Sequence, residues 1–102
     1  MTADPYRYFR IEARELADQL GDGVRGLGRG VADRDEVARL LRLAHTLKGA
    51  ARVVRQLDIA GAAHSIEDVL APYRGSADPV PADAVARVAG LVDGVSDAVT
   101  VL

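Results

Sequence analysis

The chain has 102 residues, a length that suits one domain with a substantial core, and it contains no cysteine. Disulfides and thiolate metal sites are therefore excluded. Its 13 basic and 15 acidic residues give a net charge of −2 and are interspersed, so we expect no nucleic-acid partner. No apolar run approaches the ~20 residues that span a bilayer, and residues 1–13 lack the apolar centre of a signal peptide. We expect a cytoplasmic protein without membrane insertion.

Apolar residues recur at steps of three and four in four segments, which is the period of an amphipathic helix. The predicted helices cover residues 5–27, 34–55, 57–73 and 81–102. We expect Pro5 to open the first helix and residues 28–32 to connect it to the second. Asp33 and Glu36 form a capping box at the start of the second helix. The third helix ends near Pro72, which removes a backbone donor. Four helices with short loops predict an all-α, up-down-up-down antiparallel four-helix bundle.

Each predicted helix has one apolar seam that faces the core. The seam residues are Phe9, Ala13, Leu16, Leu20, Val24 and Leu27; Val37, Leu40, Ala44, Leu47, Ala51 and Val54; Ile59, Ala63, Ile66 and Leu70; and Val85, Val88, Val92, Val95, Val99 and Leu102. A second stripe on the second helix contains Leu41, His45, Lys48 and Arg52. This stripe flanks the seam, so we expect it to be partly exposed. Because the chain ends on a seam residue, we expect it to be the N-terminal domain of a longer protein.

The run GDGVRG at 21–26 matches the glycine pattern of dinucleotide-binding loops. That loop needs a strand before it and a helix opening after it, whereas a helix precedes it here. We therefore interpret the run as the weakened end of the first helix, which we expect to persist to Leu27.

His45 is the candidate nucleophile. If the second and third helices are antiparallel about Gln56, Glu67 lies opposite His45 and His64 lies opposite Lys48. A carboxylate that accepts the Nδ1 proton of an imidazole leaves Nε2 free to attack and steadies the cation that forms. Lys48, the only lysine, lies one turn from His45, where its ammonium can meet phosphoryl oxygens. The patch suits a histidine that carries a phosphoryl group, with His64 as a supporting neighbour.

A partner that exchanges this group must close over the same face of the second helix. Leu41, Gly49 and Arg52 surround His45 there, and we expect them to bind the partner. A glycine such as Gly49 lowers stability in a helix interior. Its presence is explained if a partner approaches the helix backbone closely at this position.

Two alternatives belong to other classes of protein. One is a metal-binding bundle, since His64 and Glu67 are three residues apart and His45 lies opposite. Carboxylate-bridged bundles draw Glu from all helices, and the last helix offers none, so Glu12 and Glu15 would have to serve. We therefore expect no metal site. The other is a plain interaction bundle whose polar patch is solvated surface.

HTLKGAAR at 45–52 and AAHSIED at 62–68 resemble the histidine phosphotransfer (HPt) domain, especially that at the N-terminus of CheA-type chemotaxis kinases. The resemblance covers residues 6–73. It implies that His45 is phosphorylated at Nε2 and that Glu67 is its hydrogen-bond partner. Lys48 and His64 would be the supporting polar neighbours, and Gly49 would leave room for the partner.

In that family, a histidine kinase core supplies the phosphoryl group from ATP, and response-regulator receiver domains take it onto an aspartate. The chain has no recognisable ATP or Mg²⁺ site, so we expect a phosphocarrier domain without a cofactor of its own. ATP and Mg²⁺ would be bound by the partner kinase core. The parent chain is expected to be a CheA-type kinase. Members often carry glycine where this chain has Arg52 and Arg55. We expect the end of the second helix to differ accordingly, with the arginines adding contacts to a partner.

Overall fold

A computed structural model describes residue 4, residues 6–29 and residues 34–102 of the chain. Within these residues it contains no strand, and its four α-helices are α1 Arg7–Leu27, α2 Arg34–Val53, α3 Leu57–Leu70 and α4 Ala82–Thr100. A 3₁₀ turn, Ala71–Tyr73, extends α3. The predicted all-α class is confirmed. The last three α-helices end earlier than the predicted 55, 73 and 102, although the 3₁₀ turn continues the third helix to Tyr73. The predicted helix opening at Pro5, the capping residue Asp33 and residues 30–32 of the predicted connection lie outside the described residues.

The helices form an antiparallel four-helix bundle in which each helix packs against two others: α1 and α3 both contact α2 and α4. The beginning of α1 meets the end of α4, where Arg14 donates to the Ser96 hydroxyl at 2.9 Å and the Thr100 hydroxyl at 2.7 Å. A three-residue connection, 54–56, reverses the chain between α2 and α3. This connection places the second half of α2 beside α3, where the candidate site lies.

The core consists of the helical seams. Its buried members include all the predicted ones except Val54, Val85 and Leu102, which are partly buried; on α4, Ala84 is buried in addition. A further expectation is wrong. Leu41, expected to be partly exposed, is only 8% exposed and belongs to the core cluster. Leu41 therefore packs with the seam residues of the bundle instead of bordering solvent.

Gly23 has a packing role that its glycine-rich surroundings conceal. It is buried inside α1, which continues to Leu27 as predicted. A β-carbon at Gly23 would clash with the side chains of Leu40 and Glu36 on α2. The glycine therefore allows α1 and α2 to approach closely at this level, at some cost to helix stability.

The end of α2 adopts the backbone that glycine normally provides. Arg55 has a φ of +59°, in the left-handed region. Its amide donates to the Arg52 carbonyl at 3.1 Å, and the Gln56 amide donates to the Ala51 carbonyl at 2.8 Å. These are the two bonds of a Schellman motif. The chain thus ends α2 in a Schellman motif with arginine, not glycine, at the left-handed position, where a β-carbon is unfavourable. The expected difference from HPt family members at this helix end stays a prediction.

Candidate functional site

His45 lies on the exposed face of α2, beside α3. Its side chain is 73% exposed, and its Nδ1 lies 3.5 Å from Oε2 of Glu67 on α3. This distance is at the long limit of a hydrogen bond. The pair is the one expected from equal spacing about Gln56. With Nδ1 facing a carboxylate, Nε2 is the ring nitrogen left to react with a molecule from solvent.

Glu67 also contacts Lys48. The Lys48 ammonium lies 2.7 Å from the Glu67 Oε1 atom, and the two side chains are only 14% and 22% exposed. Partial burial raises the pKa of the Glu67 carboxyl, but the hydrogen bond and charge of Lys48, together with His45, lower it more. The net pKa lies below its ordinary value. Glu67 is therefore an anion that a cation holds in place beside the imidazole.

The expected pairing of Lys48 with His64 is replaced by two other contacts. Lys48 reaches Glu67, while Nε2 of His64 lies 3.4 Å from Oδ2 of Asp68, one turn further along α3. Helical side chains lean towards the N-terminus of their own helix. On antiparallel helices Lys48 and Glu67 lean towards each other, and opposite charge completes the contact.

These side chains border an open groove of about 540 Å³, which we call the His45 groove. It lies between α2 on one side and α3 with the 3₁₀ turn that follows it on the other. Its α2 wall consists of Leu41, Arg42, His45, Thr46 and Lys48. Its other wall consists of His64, Glu67, Asp68, Ala71 and Arg74. The groove leaves His45 accessible to a molecule from solvent.

Sequence reasoning missed several residues of this groove, above all Arg42 and Arg74. Arg42 precedes His45 by three residues, so helical spacing was a sufficient signal for it. No comparable signal existed for Arg74, because the preceding Pro72 predicts only the end of a helix. The 3₁₀ turn Ala71–Tyr73 packs against α2 and keeps Arg74 at the groove.

Comparison with known proteins identifies the family of the chain. The family model for the Hpt domain matches residues 6–98. The chain belongs to the Hpt domain family. A stretch of 62 residues is also 36% identical to the chemotaxis protein CheA of Treponema pallidum. This match covers 61% of the chain but 8% of the relative's length. No solved structure is significantly similar to the chain.

Membership in the Hpt family, with the CheA relative, supports histidine phosphotransfer in two-component or chemotaxis signalling as the function. Hpt domains of CheA proteins generally pair with kinases and receivers. Within the described part of the chain, no helix combines the length and apolarity needed to cross a membrane. Nor do the described residues contain a group of three or more His, Asp or Glu side chains arranged to hold a metal ion, so the metal-bundle alternative has no support.

The three residues expected to bind partners differ in accessibility within this Hpt domain. Gly49 is exposed, and a β-carbon there would meet nothing within 4 Å. Arg52 is exposed near the end of α2. Leu41 lines the His45 groove but is almost fully buried, so it offers a partner much less apolar surface than expected.

Proposed function

We propose that His45 carries the phosphoryl group. In the first transfer, the bond between the γ-phosphorus of ATP and its bridging oxygen breaks, ADP leaves, and a bond forms from phosphorus to Nε2. The proton on Nδ1 stays in place and is shared with Glu67. In the second transfer, the phosphorus–nitrogen bond breaks as an aspartate oxygen of a receiver attacks.

The observation that supports this assignment most strongly is the placement of Glu67 at Nδ1 of an exposed imidazole. The carboxylate selects the tautomer whose lone pair is on Nε2 and stabilises the positive charge that develops during transfer. Lys48 acts chiefly on Glu67, which it keeps ionised and oriented. His64 is a supporting neighbour at the groove.

The proposed donor is the kinase core of a CheA-type protein, and the acceptors are receiver domains. The core would bind ATP and Mg²⁺, since the present domain contributes the nucleophile and no recognised nucleotide site. The partners would approach over the face of α2 that displays His45 and Gly49.

The test uses the chain with a CheA-type kinase core and radiolabelled ATP. The label should be acid-labile and stable to base, as a phosphoramidate is. His45→Gln should abolish labelling and change the melting temperature little, because this exposed side chain contributes little to the core. His64→Gln is the matched control and should remain labelled. Label that survives His45→Gln, or that is lost only with His64→Gln, would contradict the assignment.

A further inference from the structure

The charges of the His45 groove do not balance. Each carboxylate on its α3 wall has a basic partner: Lys48 contacts Glu67, and His64 contacts Asp68. Arg42 and Arg74 also line the groove. Within the described residues, neither guanidinium forms an ion pair with a carboxylate. With histidine counted as neutral, the groove has three cations, Lys48, Arg42 and Arg74, against the two carboxylates, so it carries one excess positive charge beside His45.

The two arginines belong to opposite walls. Arg42 is exposed on α2, one turn before His45, and its carbonyl accepts the Thr46 hydroxyl at 3.0 Å. Arg74 follows the 3₁₀ turn, and its amide donates to the Ala71 carbonyl at 3.2 Å. Their long side chains can thus reach one ligand in the groove from two directions.

We propose that Arg42 and Arg74 form a phosphoryl-binding pair that holds the oxygens of the group carried on His45. This inference rests on the proposed function of His45. The phosphoryl group of a phosphorylated side chain carries a charge of about −1.5 to −2 near neutral pH, and the excess positive charge of the groove attracts it. The planar guanidinium can bind two phosphoryl oxygens at once. Lys48 is less suited to this role than sequence reasoning suggested, because its largely buried ammonium is already held by Glu67.

The alternative is that these arginines only contact acidic side chains of a partner protein. An experiment without a partner protein distinguishes the two possibilities, because only a phosphoryl-binding role can then have an effect. Phosphoramidate, a small phosphoryl donor, can phosphorylate an imidazole directly, and ³¹P NMR then reports the ionisation of the attached phosphoryl group. A guanidinium that contacts the group favours its dianion and lowers its pKa.

The experiment compares the phosphorylated wild-type chain with Arg42→Ala, Arg74→Ala and the double variant. Each single substitution should raise the phosphoryl pKa by about half a unit, and the double substitution by more. Arg42→Lys and Arg74→Lys keep the charge and should show smaller shifts. Arg87→Ala, which removes an exposed arginine from α4 outside the groove, is the control and should leave the pKa unchanged.

The outcomes distinguish this inference from the proposed function. Wild-type chain that is phosphorylated elsewhere than His45 would overturn both. Phosphorylation of His45 with the same phosphoryl pKa in the double variant would overturn the arginine pair alone. So would variants that slow transfer to a receiver while the pKa stays constant. Circular dichroism on every sample checks that the bundle remains folded.

Discussion

Lys48 and Glu67 form an ion pair of 2.7 Å between α2 and α3, and the other carboxylate oxygen of Glu67 lies 3.5 Å from Nδ1 of His45. One carboxylate thus connects a largely buried ammonium to an exposed imidazole. The pair joins the two helices and at the same time orients the group that controls the tautomer of His45. Changes at Glu67 should therefore affect both stability and phosphorylation.

Replacing Glu67 by Gln should slow phosphorylation of His45 about tenfold or more without abolishing it. The amide fills the same space but stabilises the developing imidazolium less and selects one tautomer less strongly. The free energy of unfolding should fall by about 1 kcal/mol, since the Lys48 ammonium keeps only a neutral acceptor. Initial labelling rates and urea denaturation measure the two effects. Asp68→Asn, at the next position on α3, is the control, and an equal loss of rate in it would contradict the role of Glu67.

The contribution of Glu67 to stability should depend on pH in a defined direction. Because folding lowers its pKa, the contribution is complete above the unfolded pKa of about 4.3 and is lost as the pH falls through the folded value. The difference in unfolding free energy between wild type and Glu67→Gln should shrink as the pH falls below about 4.3. Because both proteins contain the other carboxyl groups, such as that of Asp4, taking the difference between their unfolding free energies removes the effect of those groups. A difference that persists unchanged to pH 3 would contradict the lowered pKa.

Gly49→Glu should leave the bundle folded, and more stable by about 0.5 kcal/mol, because glycine is a poor helix former and the position faces open space. Transfer from phosphorylated His45 to a receiver should nevertheless fall at least tenfold, since the new side chain obstructs the partner and repels the phosphoryl group. Gly90→Glu makes the same change at an open position on α4 and should transfer normally. Full transfer by Gly49→Glu would mean that receivers approach from another side.

Arg55→Gly should raise the free energy of unfolding by up to about 1 kcal/mol. Arg55 occupies the left-handed position of the Schellman motif, where a β-carbon is unfavourable and glycine is not. Arg55→Ala is the matched control, because it removes the same side chain but keeps the β-carbon. Thermal or urea denaturation should show a gain for glycine alone. Equal stability of the two variants would show that the backbone conformation costs little.

The amino-acid sequence by itself determined the helices, their apolar seams and the pairing of His45 with Glu67. The seams follow from a local period, so residues such as Leu20, Leu40 and Ile66 could be placed inside without knowledge of the packing. The pairing follows from a short connection, because two antiparallel helices joined near Gln56 have little freedom in register.

Only the tertiary structure decided what depends on side-chain direction and on the separation of helices. Lys48 meets Glu67 instead of His64, because side chains on antiparallel helices lean towards each other. Leu41 is buried because it packs into the core cluster that the helices form together, and Gly23 leaves room for the Leu40 and Glu36 side chains of α2. Arg74 reaches the His45 groove because a 3₁₀ turn keeps the chain against α2 after the α-helix has ended. These contacts join residues of different elements, and no local pattern encodes their distances.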